Sequence, residues 1–418
     1  MVMSKLLSGI LAPLLLIILV GCDDYSHNAI PNTPPINYIN LTMMQAYGED
    51  GYDWGAALAR GPDNGYLIAG STTSRGYGDN TAYLVRTGPT GEMIWFKWFG
   101  GWGDDNGQAV ALSPDGNIVV AGVSESFELR TGQKIDPNSG KPIDDYNFYL
   151  VKTDLEGAVL WEKPYGDSLY TEWGRAVAVL SDGYLIAGYQ AKTEVEGDFY
   201  AVRTDLDGDV VWQRAYERPG VNYAYSVVAT SDDGFVLAGY TMKPDAIGGD
   251  PYLMQIDGSG NPGWECLPAD SAALQILYSA VQAANGDIIA VGRSIPKESP
   301  SPLNGVLYVM RASSGGQLLW EKTYSESGIR EGRCILEDAQ GALMICGQHA
   351  TGNDIRIAKL AGDGTFMWSD STHAPGYGMA MIPIETGYAI AGSSDYPNHQ
   401  VLNNALLITI AEDMTNIE

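Results

Sequence analysis

Six short segments recur, five setting an acid or amide beside an aromatic, a glycine or an arginine and the sixth a tyrosine between glycines. They are Asp53-Trp54-Gly55, Asp105-Asn106-Gly107, Glu172-Trp173-Gly174, Asn222-Tyr223-Ala224, Glu331-Gly332-Arg333 and Gly376-Tyr377-Gly378. Gathered in space, carboxylates with Trp and Tyr rings would bind a cation, a sugar or a basic peptide. The alternative is structural: each acid caps the turn into its strand and each aromatic packs between neighbouring units. Repetition favours that alternative. Arg175, Arg330 and Arg333 break the repetition, so specificity is expected there.

Other reactive side chains are sparse. The histidines are His27, His349, His373 and His399, and no Ser/His/Asp arrangement or His-x-x-x-His pair is evident. No catalytic residue, metal site or cofactor is therefore assigned. Cys334 and Cys346 fall nearly opposite one another across a hairpin. Directly paired strands seldom suit disulfide geometry, so free thiols are expected. Cys266 reads as a lone buried thiol, and no cysteine spacing suggests zinc.

The elements that must position these residues repeat. Thr153-Asp154-Leu155-Glu156-Gly157 is followed by Trp161, Thr204-Asp205-Leu206-Asp207-Gly208 by Trp212, and Ile256-Asp257-Gly258-Ser259-Gly260 by Trp264. Looser copies run from Gly88, Ser313 and Ala361 to Trp95, Trp320 and Trp368. In every copy the Trp lies four residues after the turn Gly, and successive Trps are 66, 51, 52, 56 and 48 residues apart. Asp bonds its own backbone and Gly accepts positive φ, so each copy predicts a β-hairpin. A second hairpin precedes each one, turning at Asp115-Gly116, Asp182-Gly183, Asp233-Gly234 or Asn285-Gly286. Its second strand is expected to end in a small residue plus Gly: Ala69-Gly70, Ala121-Gly122, Ala187-Gly188, Ala238-Gly239, Val291-Gly292, Cys346-Gly347 and Ala391-Gly392.

Two hairpins per unit and seven units predict an all-β chain: a seven-bladed β-propeller of four-stranded blades. The seventh unit has no Trp. After Ala391-Gly392 comes only one more strand, at Ala405–Ile410. Residues Tyr38–Gly48 match an outer strand, with Met43 in the Trp place, so the N-terminal strand is expected to close the last blade. The repeated Trps read as packing residues. Each would bury about 150–250 Å², worth at most about 4–6 kcal/mol.

Residues 1–21 read as a signal segment, in which an apolar Leu11–Val20 run ends at Gly21-Cys22. Leu19-Val20-Gly21-Cys22 resembles a bacterial lipobox, in which Cys22 becomes the acylated N-terminus. Residues 22–35 then form a flexible tether and 36–418 the propeller. Asp23-Asp24 resembles an inner-membrane retention signal of enteric bacteria and, equally, a surface-export signal of other phyla, which leaves the leaflet open. The formal charge of −27 becomes −28 once Lys5 is cleaved away. A body so acidic excludes nucleic acid and direct adhesion to anionic lipid. The insertion at 127–145 in blade 2 is either a functional protrusion or a tolerated loop.

The Asp-x-x-Gly-x-x-x-Trp hairpin resembles bacterial propellers of the delta-60-like and quinoprotein-like types, over nearly all of the mature chain. Quinoprotein dehydrogenases carry a vicinal Cys pair, a Ca²⁺ site and eight blades. This chain has no Cys-Cys pair and seven units, so quinone chemistry is not expected. The order of anchor, tether and propeller is also similar to the lipoprotein propeller of the outer-membrane barrel-assembly machinery, a scaffold without catalysis. The expectation is a non-enzymatic, lipid-anchored scaffold that binds a protein in or on the bacterial envelope. The alternative is a propeller that binds or processes carbohydrate at its channel mouth. The scaffold reading predicts an exposed apolar or aromatic patch. The carbohydrate reading predicts Trp54, Trp102 or Trp173 exposed, with two carboxylates about 5–10 Å apart.

Overall fold

The computed structural model describes residues 38–76, 80–127, 146–166, 170–193, 195–244, 248–268, 273–298, 301, 304–350, 352–394 and 404–412. The proposed signal segment, Cys22, the tether and nearly all of the 127–145 insertion lie outside the described residues. Among the described residues no helix is long and apolar enough to cross a membrane.

Among the described residues twenty-eight strands form seven antiparallel four-stranded blades. Blades 3 and 4 are joined by one parallel bridge between Gly197 and Val221. The innermost strands are Asp53–Arg60, Asp105–Leu112, Thr171–Leu180, Val221–Ala229, Ala273–Gln282, Ile329–Glu337 and Tyr377–Ile384. In blade 7 the outermost strand is the N-terminal one. Ile39–Tyr47 pairs with Ala405–Glu412, from Ile39 opposite Glu412 to Tyr47 opposite Ala405. The second and third strands of each blade are almost wholly buried and apolar, such as Ile118–Ser124 against Asn147–Thr153. Outer strands are instead exposed or half-buried along most of their length, as in Val159–Tyr165 and Val210–Tyr216, each with a buried tyrosine at its end.

The outer hairpins turn as their composition dictates. Asp205 Oδ1 accepts hydrogen bonds from the amides of Asp207 (2.9 Å) and Asp209 (2.8 Å), while Gly208 takes φ +78°. Asp154 and Asp257 repeat the arrangement. The Trp that follows each turn packs on the turn Gly of the next blade: Trp161 on Gly208, Trp212 on Gly260, Trp264 on Gly316 and Trp320 on Gly364. Met43 does the same on Gly91, so it does fill the Trp place at ring closure. A tyrosine at the end of the outer strand fixes the same joint. Tyr47, Tyr165, Tyr216 and Tyr324 donate to the carbonyls of Gly91, Gly208, Gly260 and Gly364 at 2.6, 2.8, 3.0 and 2.7 Å. Trp368 has no such turn ahead of it, because the chain begins blade 7 with a strand. It stacks on Tyr38 instead, with centroids 5.2 Å apart and planes 1° from parallel. Five of the six repeated Trps are only half-buried, so each contributes less than full burial would give.

One expectation needs correction. The recurrent small-Gly pair lies inside the second strand rather than at its end; Tyr66–Thr72, for example, runs two residues past Gly70. The cause is a β-bulge on each facing inner strand. A Cβ at Gly70 would collide with the Trp54 carbonyl, and one at Gly188 with that of Trp173. Glycine lets the bulged backbone approach.

Cys334 and Cys346 are directly opposed across the inner hairpin of blade 6, and both are free thiols, as is Cys266. Their mutual hydrogen bond, together with burial, pushes the Cys346 thiol well above its usual range.

Candidate functional site

The inner strands carry the site. Each has its bulge at the equivalent place, and the residues set out by the seven bulges are Ala56, Gln108, Arg175, Tyr225, Tyr278, Arg333 and Met379. All seven are half-buried. Consecutive blades bring them into contact. Arg175 Nη1 donates to Gln108 Oε1 (3.3 Å), and the Arg175 guanidinium lies 5.4 Å from the Tyr225 ring. Tyr225 meets Tyr278 edge-on at 5.5 Å, and Arg333 sits 4.1 Å over the other side of that contact, on the Tyr278 ring. These contacts between successive innermost strands describe an arc around the central channel, running from blade 2 to blade 6.

A second tier flanks the arc. Trp173, Tyr189 and Tyr223 follow one another at 6.3 and 3.7 Å, both pairs stacked, and Tyr240 closes on Tyr223 and Tyr225. Arg175 lies over Trp173 (5.1 Å) and Tyr189 (5.7 Å) and donates to the Tyr189 hydroxyl at 3.4 Å. Its partners are thus neutral, and its Nε is buried without a hydrogen bond. In blades 5 and 6, Glu331 is shared by two arginines, Arg293 on one oxygen (3.1 Å) and Arg333 on the other (2.5 Å). Tyr278 lies against both guanidinium groups, and burial pushes its pKa up to about 12 although Arg333 pulls the other way.

Where the arc ends, a pocket of about 370 Å³ opens, lined by Trp54, Arg330, Glu331, Arg333, Gln348, Tyr377 and Met379. The Trp54 and Tyr377 rings stand 5.9 Å apart at 30°. Five candidate residues named from the sequence, Trp54, Arg330, Glu331, Arg333 and Tyr377, therefore share one pocket, while Trp173 and Arg175 belong to the arc.

The three remaining candidates are buried and hold loops. Asp53 accepts from the Glu49 amide (3.1 Å) and the Ser74 hydroxyl (2.9 Å). Asp105 accepts from the Gly101 amide (2.9 Å) and the hydroxyls of Ser124 and Ser126. Burial pushes the Asp105 carboxyl above its usual range, with these hydrogen bonds opposing the rise. Glu172 accepts from Gln190 Nε2 at 2.9 Å. In blade 4, Asn222 does the same work by donating to the Gly197 and Arg218 carbonyls. Blade 5 supplies a seventh entry, Gln275, which the sequence reading did not include. The bulge ring itself also went unread. Its signal is the single variable residue between the recurrent small pair, as in Gly107-Gln108-Ala109 and Gly174-Arg175-Ala176.

A different surface lies on the outer strands. Eleven of the fourteen large apolar side chains exposed among the described residues are there. Nine fall on four consecutive blades: Leu41 and Met44 on blade 7, Met93, Ile94 and Trp98 on blade 1, Val159 and Leu160 on blade 2, and Val210 and Val211 on blade 3. Trp102, 81% exposed, stands in the loop from blade 1 to blade 2. Among the described residues no group of three or more His, Cys, Asp or Glu is placed to hold a metal ion.

No family model matches the chain, and no curated protein matches its sequence. Among solved structures it is similar to Sqt1 from Chaetomium thermophilum, at 12% identity and TM-score 0.45, over 88% of this chain and 99% of that one. It is also similar to the Pan2 WD40 domain from Neurospora crassa, at 9% identity and TM-score 0.41, over 73% of this chain and 89% of that one. The strand pairing itself makes this chain a seven-bladed β-propeller whose last blade is completed by the N-terminal strand.

Proposed function

We propose that this chain is a non-enzymatic, membrane-anchored scaffold of the bacterial cell envelope, which holds a partner protein against the rim of its propeller. The supporting observation is the sector of exposed aliphatic and aromatic side chains on the outer strands of blades 7, 1, 2 and 3. Contiguous apolar surface on a water-facing strand is costly unless something covers it, and interface cores are built from such side chains. The other blades carry less of the feature. Blade 4 has Pro262-Gly263 at the equivalent place, and blades 5 and 6 expose only Leu319 and Met367.

In this reading residues 1–21 are removed, Cys22 carries the acyl chains (palmitate among them), and 22–35 is a tether that lets the 36–418 body reach its partner. The anchor sits in the cell membrane or outer membrane, and the acidic body stays off the anionic lipid. Crosslinking in intact cells followed by mass spectrometry tests the proposal. The expected result is one envelope protein joined through the sector of blades 7 to 3, lost in Ile94→Glu and Val211→Glu. Crosslinks scattered evenly over the body, or none at good expression, would count against it. Labelling with an alkyne fatty acid tests the anchor: wild type should incorporate it and Cys22→Ala should not.

A further inference from the structure

The channel offers a second site, independent of the rim. Its wall has a charge opposite to that of the whole protein. Arg330 and Arg333 line the pocket with Glu331, Arg293 pairs with that Glu331, and Arg175 lies on the arc, in a chain whose formal charge is −27. Glu331 is consumed by its two arginines. Arg175 has neutral partners, and Arg330 has no ion pair among the described residues. Half-buried cationic donors of this kind carry a partial desolvation penalty that an anion would relieve. The Nε atoms of Arg175 and Arg293 are buried without a hydrogen bond. The acids nearest in the repeat, Asp53, Asp105 and Glu172, are turned into the strand-entry loops or toward Gln190, not presented as counter-ions.

The pocket at the end of the arc adds shape. Its lining combines Trp54, Tyr377 and Met379 with the two arginines Arg330 and Arg333 and the polar side chains of Gln348 and Glu331. A guanidinium fork matches a carboxylate. Aromatic faces pack on the C–H face of a sugar ring, and an amide beside a carboxylate can bond hydroxyl groups. At about 370 Å³ the pocket lies near the lower end of the ~300–1,000 Å³ typical of small-ligand sites, which suits one ring and not a folded loop.

We infer that the mouth of the channel binds a hexuronate: a pyranose ring stacked on Trp54 and Tyr377, its carboxylate held by Arg330 and Arg333, and its hydroxyls against Gln348 and Glu331. The arc of Arg175, Tyr225, Tyr278 and Arg333 lines the passage beside it. The site binds without catalysis.

The experiment is calorimetric titration of the purified full-length chain with glucuronate, galacturonate, glucose, galactose and acetate, with Trp fluorescence as a second readout. At least one hexuronate should bind about tenfold or more tighter than its neutral sugar and than acetate. Arg330→Gln should weaken it by at least about tenfold, the scale of one lost charge-assisted hydrogen bond. Trp54→Leu should weaken it and abolish most of the fluorescence change. Arg330 is half-buried and has no ion pair among the described residues, so its substitution leaves the fold intact; the far-UV spectrum checks this. Ile94→Glu, on the rim, should leave hexuronate affinity unchanged, so failure of either proposal is distinguishable from failure of the other. Equal affinity for glucose would overturn carboxylate recognition. Acetate binding as tightly as the hexuronate would show an anion site without a sugar subsite. Full binding by Arg330→Gln, or no hexuronate binding at millimolar concentration, would overturn the proposal outright.

Discussion

Replacing Gly208 by Ala tests whether the blades are joined through the Trp-on-Gly contact. Gly208 has φ +78°, and a Cβ there would lie 2.8 Å from Trp161 Cη2, 2.9 Å from its Cζ3 and 3.0 Å from the Tyr165 hydroxyl. Gly116 is the comparison. Its φ is +82°, its amide closes the same type of turn onto Ser113 as Gly208 closes onto Asp205, and a Cβ there meets nothing within 4 Å. Both substitutions incur about 1–2 kcal/mol for an L-residue in the left-handed region, less about 0.4–1 kcal/mol from a stiffer unfolded chain. Only Gly208→Ala must also displace a packed indole, at about 1–3 kcal/mol. The difference between the two variants, about 1–3 kcal/mol, therefore measures the joint alone. Urea unfolding followed by Trp fluorescence and far-UV circular dichroism gives both values, with similar slopes expected. Equal destabilisation of the two would refute the argument that the Trp of one blade is seated on the turn of the next.

Other outcomes follow from the same geometry. Tyr165→Phe removes the hydrogen bond to the Gly208 carbonyl while keeping the ring, and should cost about 0.5–1.5 kcal/mol in the same assay. The raised Asp105 pKa means that the native state binds this proton more tightly than the unfolded chain does. Stability from the protonated group is present below about pH 4 and is lost as pH rises through the folded pKa, so wild type should lose stability relative to Asp105→Asn across that rise. Cys266, Cys334 and Cys346 should resist alkylation in the native protein and react fully in denaturant without reductant. For Cys266, burial pushes the thiol up to about 11, which slows it further at pH 8. A mass shift showing a Cys334–Cys346 disulfide would contradict the free pair.

The fold was legible because its punctuation is local. Asp-x-x-Gly turns and the Trp four residues on are short-range signals, and six copies make the period plain. The closing strand was legible too, since Tyr38–Gly48 carries the outer-strand pattern with Met43 for Trp. The bulges were not, because a bulge is a relation between two strands. The recurrent Gly was visible at Gly70 and Gly188, but the facing carbonyls of Trp54 and Trp173 that require it come from the partner strand. The site was half legible for the same reason. Repetition correctly marked the strand entries as special, and Asp53 and Asp105 proved to hold the loops there. What distinguishes one blade from another, Arg175 against Tyr225 against Ala56, lies three residues further in, at a position that repeats in place but not in identity.

The pairing of Ile39–Tyr47 with Ala405–Glu412 also sets a timetable. The first strand of the ring emerges early in synthesis and its only sheet partner emerges last. At ~5–20 residues per second the ribosome needs roughly 20–75 s to span the 373 positions from Ile39 to Glu412. Throughout that interval the ring stays open, whatever order the inner blades form in. Closure joins residues from opposite ends of the chain, an arrangement that slows folding. Such a ring cannot lock before Glu412 has been made.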